Sequence, residues 1–186
     1  MSENGPPAPP RPTPIGQAPL RKTGQVPDHV RAARERKRAE AEAIGIDDAF
    51  IDQLVERFYA TIRADAVLGP IFNGHIEDWP AHLARLKQFW RSILHSTGEF
   101  TGNPMRKHIA LPPLEASHFA RWLELFYATL DETGGEAARR EVGTRARMIA
   151  DSLLSGIALH HRGIAGMGEA ARESASLPWP EGAKET

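Results

Sequence analysis

The sequence predicts an all-α protein with one main domain. Its longer segments carry large apolar residues at spacings of three and four, which is typical of helices that bury one face. No segment shows the alternation of apolar and polar residues that a half-buried strand requires. Proline and glycine separate the periodic segments and indicate where the helices end. A chain of 186 residues is normally one domain, here with an extension at each end.

The N-terminal part of the chain is predicted to lie outside this domain. Residues 1–28 are rich in proline and contain few residues that a core could bury, so we predict a disordered tail there. Residues 29–45 are charged and rich in alanine, and Gly45 is suited to the end of a helix. Basic and acidic residues are interspersed in this range, so we interpret it as a solvated helical extension.

Four longer helices are predicted in the main domain, which we place at residues 46–161. Asp47 and Asp48 can cap the first helix, and the second begins near Asp78 with Pro80 in its first turn. The other predicted segments are, in order, a turn-rich stretch (68–74), a loop (96–104), a short segment (105–110), a third helix (about 114–132), a fourth helix (about 136–160) and a flexible C-terminal tail (162–186).

The composition excludes several classes of function. The chain has no cysteine, which rules out disulfides, thiolate catalysis, zinc fingers, iron–sulfur clusters and covalent attachment of c-type heme. The formal net charge of −1 gives no reason to expect nucleic acid or an anionic membrane as a partner. No apolar segment is long enough to span a bilayer, and the N-terminus does not resemble a signal peptide. We therefore expect a cytoplasmic protein.

Two histidines occupy unusual positions. His82 lies on the apolar stripe of the second helix, with Leu86 and Trp90 at four-residue steps, and His108 lies in a short segment bounded by prolines. Histidine binds iron well, and the aromatic residues of this chain could line a pocket for a flat apolar cofactor. A hydrogen-bonded core histidine is the more common reason for such spacing, so spacing alone does not identify a cofactor. We interpret three other histidines as surface or helix-end residues: His75, His95 and His118.

The order of several motifs is more specific than their spacing. In chain order they are Phe58-Tyr59, Leu68-Gly69-Pro70-Ile71-Phe72-Asn73, Trp79-Pro80-Ala81-His82, Phe89-Trp90, Gly102-Asn103-Pro104-Met105-Arg106-Lys107-His108, Leu111-Pro112-Pro113 and Phe119-Ala120-Arg121-Trp122-Leu123. As an ordered set over residues 47–158, they resemble the group III truncated haemoglobins. The resemblance implies a truncated globin-like two-on-two helical sandwich around heme b, here with an N-terminal extension.

The resemblance also implies roles for individual residues. His108 matches the proximal histidine that binds the iron, Tyr59 and Trp122 match distal hydrogen-bond donors, and His82 matches a histidine at the ligand entry. Arg106 and Lys107 could pair with the heme propionates, although a solvated basic pair explains them equally well. The pocket-lining positions are Phe72, Leu86, Phe89 and Trp90.

Three functional hypotheses follow from these residues. The first is binding of dioxygen, nitric oxide or carbon monoxide at a five-coordinate heme iron. The second is a redox enzyme on the same scaffold, with peroxidase-like or nitric oxide dioxygenase activity, which would involve peroxide or a reductase as a partner. Tyr59 and Trp122 suit both hypotheses, so the sequence does not separate them. The third is a helical interaction domain without heme.

Overall fold

The computed structural model describes residues 26–112 and 114–181, and this part of the chain is helical without strands. Its helices are α1 (Asp28–Ala43), α2 (Asp48–Ala64), α3 (Leu68–His75), α4 (Trp79–Leu94), α5 (Pro104–Ile109), α6 (Ala116–Thr133) and α7 (Glu136–Ala175). The all-α prediction is confirmed. The predicted N-terminal tail lies outside the described residues up to residue 25, as does the end of the C-terminal tail from residue 182.

Four helices form the core as two packed pairs. α2 packs against α4, α6 packs against α7, and a contact between α2 and α6 joins the pairs. Phe58, Leu123 and Phe126 lie in this core with no exposed surface. Burying one such side chain contributes about 1.5–3 kcal/mol to stability, so the sandwich is held chiefly by its apolar helix faces. In the described part of the chain, no helix is long and apolar enough to cross a membrane.

Side-chain caps fix where three helices begin. Asp47 accepts a hydrogen bond from the backbone N–H of Phe50 at 2.7 Å and caps α2. Asp78 accepts from the N–H of Ala81 at 3.0 Å and caps α4, as its sequence position predicts. α5 is capped in the same way by Asn103. Each bond satisfies one of the N–H groups that the first turn of a helix leaves free.

The charged extension is a helix that is tied to the domain. Gly45 follows α1 with a φ of +86°, a conformation that favours glycine, and this turn lets the N–H of Ile46 donate to the carbonyl of Ala41 at 2.9 Å. Ile46 is fully buried, and α1 contacts α4. The extension is therefore a packed element at its C-terminal end.

His95 ends α4, but it is buried and not at the surface. Its Nε2 lies 2.7 Å from the carbonyl oxygen of Ile46, and its Nδ1 lies 3.6 Å from Asp48 Oδ1. Asp48 also accepts hydrogen bonds from Arg38 and Arg91. These contacts connect α1, the start of α2 and the end of α4, which makes His95 a structural residue.

The turn-rich stretch after α2 is helical. Pro70 lies in the first turn of α3, where its missing N–H leaves no hydrogen bond unmade. Asp65 stabilises this turn, because its carboxylate accepts the N–H groups of Val67 and Leu68 and ion-pairs with Arg121 of α6 at 2.9 Å. The bond from Leu68, followed by the bond from Arg121, holds the pKa of Asp65 below its ordinary value. The sequence analysis missed α3 because the residues Gly and Pro are typical of turns.

The chain after residue 162, where the sequence analysis predicts a flexible tail, is described to residue 181 and folds back on the first part of α7. Gly163 has a φ of +64° and reverses the helix direction, and helix then continues to Ala175. We call residues 164–181 the C-terminal strap. Leu177 in the strap is buried, and Tyr127 of α6 donates a hydrogen bond to the carbonyl of Pro178 at 3.0 Å. Small buried residues, such as Gly166 and Ala170, make the helix contact and carry little apolar signal in the sequence.

Arg147 attaches the strap to α7. Its guanidinium is buried, donates a hydrogen bond to the carbonyl of Ser174 at 2.5 Å, and lies 5.0 Å from the ring centre of Trp179. Ser174 also donates a hydrogen bond to Asp151. A buried charge requires such partners, so the strap and this face of α7 stabilise each other.

Candidate functional site

A cavity of about 480 Å³ lies among the core helices, and residues of α2 to α7 border it. Pockets for small organic ligands measure roughly 300–1,000 Å³ and are mostly apolar, and this cavity matches both properties. The residues that the sequence analysis assigned to a cofactor pocket and that line this cavity are Tyr59, Phe72, His82, Leu86, Phe89, Trp90, Lys107, His108 and Trp122.

His108 borders the cavity from α5. Its Nδ1 lies 2.7 Å from the carbonyl oxygen of Pro104, one turn earlier on the same helix. A carbonyl only accepts hydrogen bonds, so Nδ1 carries the proton and Nε2 keeps its lone pair. Histidines that bind metals commonly donate their second ring N–H in this way, because the bond fixes the orientation of the ring. His108 thus has the chemistry of a metal ligand.

Two further histidines at the cavity differ from His108 in exposure or tautomer. His75 also has its Nδ1 at 2.7 Å from a backbone carbonyl, that of Ile71, but its side chain is exposed. His118 accepts a hydrogen bond from the N–H of Glu115 on Nδ1 at 3.0 Å, as part of the cap of α6. The proton of a neutral His118 therefore lies on Nε2, which leaves no free lone pair for a metal. His118 is half-buried at the cavity, not at the surface.

His82 is half-buried and lines the cavity from α4. Its ring lies 6.0 Å from that of Tyr59 and 5.8 Å from that of Trp79, edge-on in both cases. Burial lowers the pKa of His82, and the positive charge of Arg85 acts in the same direction. His82 is therefore neutral at pH 7 and can donate one hydrogen bond from one ring nitrogen and accept one at the other.

Tyr59 lines this cavity from α2. The side chain is buried, and burial raises the pKa of its phenol above the ordinary value. The phenol therefore stays protonated and remains a hydrogen-bond donor at physiological pH. Its ring packs edge-on against Phe58 at 4.9 Å and against Phe72 at 5.9 Å, which restricts its orientation.

Trp122 lines the same cavity from α6. Its ring stacks on that of Phe126, with ring centres 5.0 Å apart and planes at 11°, and meets Phe58 edge-on at 5.2 Å. Phe126 in turn stacks on Trp90 at 5.2 Å. This buried aromatic cluster fixes the plane of the indole.

Of the predicted basic pair, Lys107 lines the cavity and Arg106 does not. Consecutive residues of an α-helix point about 100° apart, so α5 directs the two side chains differently. Arg85 lines the cavity as well, and the sequence analysis did not identify it. Arg85 follows His82 by three residues and so lies on the same face of α4. This spacing was the feature of the sequence that could have indicated its place at the cavity.

The sequence analysis also missed part of the apolar wall. Ile149, Ala150 and Leu153 of α7 line the cavity, and so does Phe100, whose ring meets Phe89 edge-on at 5.2 Å. Ile149 and Leu153 belong to the apolar stripe of the predicted fourth helix. A stripe indicates burial but does not distinguish a core contact from the wall of a cavity.

Comparison with known proteins agrees with this geometry. Residues 41–152 match the family described as bacterial-like globin. The chain is 38% identical to a group 3 truncated hemoglobin of Campylobacter jejuni over 109 residues, which cover 56% of this chain and 86% of that protein. It also resembles the crystal structure of the group III truncated hemoglobin from Campylobacter jejuni, with a TM-score of 0.56 and 38% identity over 58% of this chain and 88% of that one. The chain therefore belongs to the bacterial-like globin family and is a heme-binding globin of the group III truncated haemoglobin type.

Proposed function

We propose that this protein binds heme b in the cavity, with His108 Nε2 as the iron ligand, and that it binds dioxygen or another diatomic ligand. The observation that carries the proposal is the state of His108, which borders the cavity with Nδ1 engaged by Pro104 and Nε2 free. Heme supplies an iron ion with an open position for a diatomic molecule.

The cavity walls suit a flat apolar group with charged edges. Phe72, Phe89 and Trp90 contribute aromatic surface to a cavity whose lining is mostly apolar. Lys107 and Arg85 also line the cavity, and both side chains are exposed. Their positive charges could pair with the two propionates of heme b, which replaces the sequence-based pair of Arg106 and Lys107 with a partly different one.

Tyr59 and Trp122 are the proposed groups that stabilise the diatomic ligand. A ligand that accumulates negative charge accepts hydrogen bonds from an O–H or N–H group, and such a bond is stronger where water is excluded. Both donors line the cavity, and their rings are held by the aromatic cluster. Each hydrogen bond is expected to contribute about 1–3 kcal/mol to retention of the ligand.

Absorption spectroscopy of the full chain tests the proposal. The purified protein is titrated with hemin, reduced and exposed to carbon monoxide. We expect saturation at one hemin per chain and an intense Soret band that shifts when carbon monoxide binds. A protein that stays colourless, or that takes up hemin without saturation, would contradict the proposal and support a heme-free interaction domain.

Removing either donor is expected to accelerate release of dioxygen. Tyr59→Phe and Trp122→Phe each delete one hydrogen-bond donor and keep an aromatic ring, so the rate of release should rise about tenfold or more in each variant. Stopped-flow displacement of dioxygen by carbon monoxide measures this rate. Tyr127→Phe is the matched control, since Tyr127 bonds the Pro178 carbonyl and does not line the cavity. Equal rates in all three variants would show that neither donor contacts the ligand.

A further inference from the structure

α5 has little of its own to hold it in place. It is six residues long, none of its side chains is fully buried, and loops precede and follow it. A helix of this length is not stable alone, so its position depends on tertiary contacts. The main contact of α5 is with α7, whose residues Ile149 and Leu153 also form one wall of the cavity.

Met105 of α5 meets Gly156 of α7 where these helices are in contact. A Cβ atom at Gly156 would overlap Sδ and Cε of Met105, so the thioether occupies the space that a side chain at position 156 would fill. Met105 precedes His108 by three residues on α5, and such residues are neighbours on a helix surface. We call the space at Gly156 the notch in α7. The Met105 thioether, which fills this notch, is therefore adjacent to His108, which lines the cavity.

The backbone does not require glycine at position 156. Within α7 only Gly163 has non-helical φ and ψ, and glycine is less favourable in a helix than alanine. What the missing side chain provides here is room for the Met105 thioether. We infer that Gly156 is a positioning residue, whose missing side chain lets Met105 seat α5 against α7 and so sets the position of His108 in the cavity.

For its link to the iron, this inference rests on the proposed function, in which His108 is the ligand. Its first consequence, the seating of α5, does not depend on heme. Hydrogen exchange of the backbone amides in residues 105–109 of the full chain reports on seating directly. The rate of heme transfer to an acceptor globin, together with the iron–histidine stretching band, reports on His108.

Filling and emptying the notch test the inference. Leucine at position 156 excludes the thioether, whereas alanine can be accommodated by rotation of the flexible Met105 side chain, so Gly156→Leu should act more strongly than Gly156→Ala. We expect exchange in residues 105–109 and heme loss to be about tenfold faster in Gly156→Leu, with a shifted iron–histidine band. Met105→Ala empties the notch and should change both rates in the same direction.

Two controls separate seating from general destabilisation. The double variant Gly156→Leu/Met105→Ala should be restored toward the wild-type rates, because the new side chain then fills the space that Met105 leaves. Gly168→Ala changes a glycine of the C-terminal strap that has no neighbour within 4 Å, and should leave both rates unchanged. Wild-type exchange in both Gly156→Leu and Met105→Ala would overturn the inference. Altered exchange with unchanged heme loss would instead count against His108 as the ligand.

Discussion

Replacing His108 with alanine is expected to abolish the specific coordination of heme. Among the described residues, His108 is the one histidine of the cavity that is half-buried and whose Nδ1 is bonded to a backbone carbonyl, which leaves Nε2 free. The variant loses this histidine. Without that ligand, the reduced protein should lose the spectrum of histidine-ligated heme, and heme should dissociate at least about a hundredfold faster. Absorption spectra of the reduced and carbon monoxide-bound forms, with heme transfer kinetics, measure both effects.

His75→Ala is the matched control for this experiment. His75 also lines the cavity and has its Nδ1 bonded to a backbone carbonyl, so it is the strongest rival to His108 among the cavity histidines. We expect its replacement to leave the spectrum unchanged. Added imidazole should enter the space vacated in His108→Ala and restore the histidine-like spectrum, which would show that the variant is folded. A normal spectrum in His108→Ala and an altered one in His75→Ala would transfer the ligand role to His75.

Phe126→Ala is expected to cause a large loss of stability. Phe126 has no exposed surface and touches the rings of Phe58, Trp90 and Trp122 with centre distances of 4.9 to 5.2 Å. Truncating a buried phenylalanine costs about 3–5 kcal/mol, because apolar burial is lost and a cavity is left. This is a large fraction of the free energy of unfolding of a typical domain, about 5–15 kcal/mol. Urea unfolding of the heme-free chain measures the difference without a contribution from bound cofactor.

Phe126→Leu separates the loss of volume from the loss of the ring. It keeps most of the apolar volume, so its cost should be below about 1.5 kcal/mol. Both variants remove the surface on which Trp122 stacks, and both should therefore increase the rate of dioxygen release in the loaded protein. A cost below 1 kcal/mol for Phe126→Ala would mean that the aromatic cluster closes around the missing ring.

The fold class and the main helices could be predicted because they depend on local patterns. Apolar spacing and the capping residues Asp47 and Asp78 place the starts of α2 and α4, and the third helix was predicted within two residues of its observed ends. α3 was missed because Pro70 is acceptable both in a turn and in the first turn of a helix. Asp65 and Arg121 decide between the two, and their ion pair is a tertiary contact that spacing does not reveal.

The site was predictable where one side chain carries distinctive chemistry, and less so elsewhere. His108, Tyr59 and Trp122 were identified by motif order, and the structure brings all three to one cavity. The tautomers of the histidines could not be predicted, because each depends on a backbone group supplied by the local fold. Arg147 was also beyond prediction: an arginine normally faces solvent, and only the returning strap explains its burial.

The reversal at Gly163 also determines from which side of the molecule the chain's last described residues emerge. The helix from Gly143 to Gly163 is about 30 Å long, since each helical residue adds about 1.5 Å. The strap runs back along this length, because Pro180 packs directly on Gly143. A fluorescent label attached at Glu181 would therefore report from near the start of α7, and energy transfer from it to heme would measure the distance across the domain.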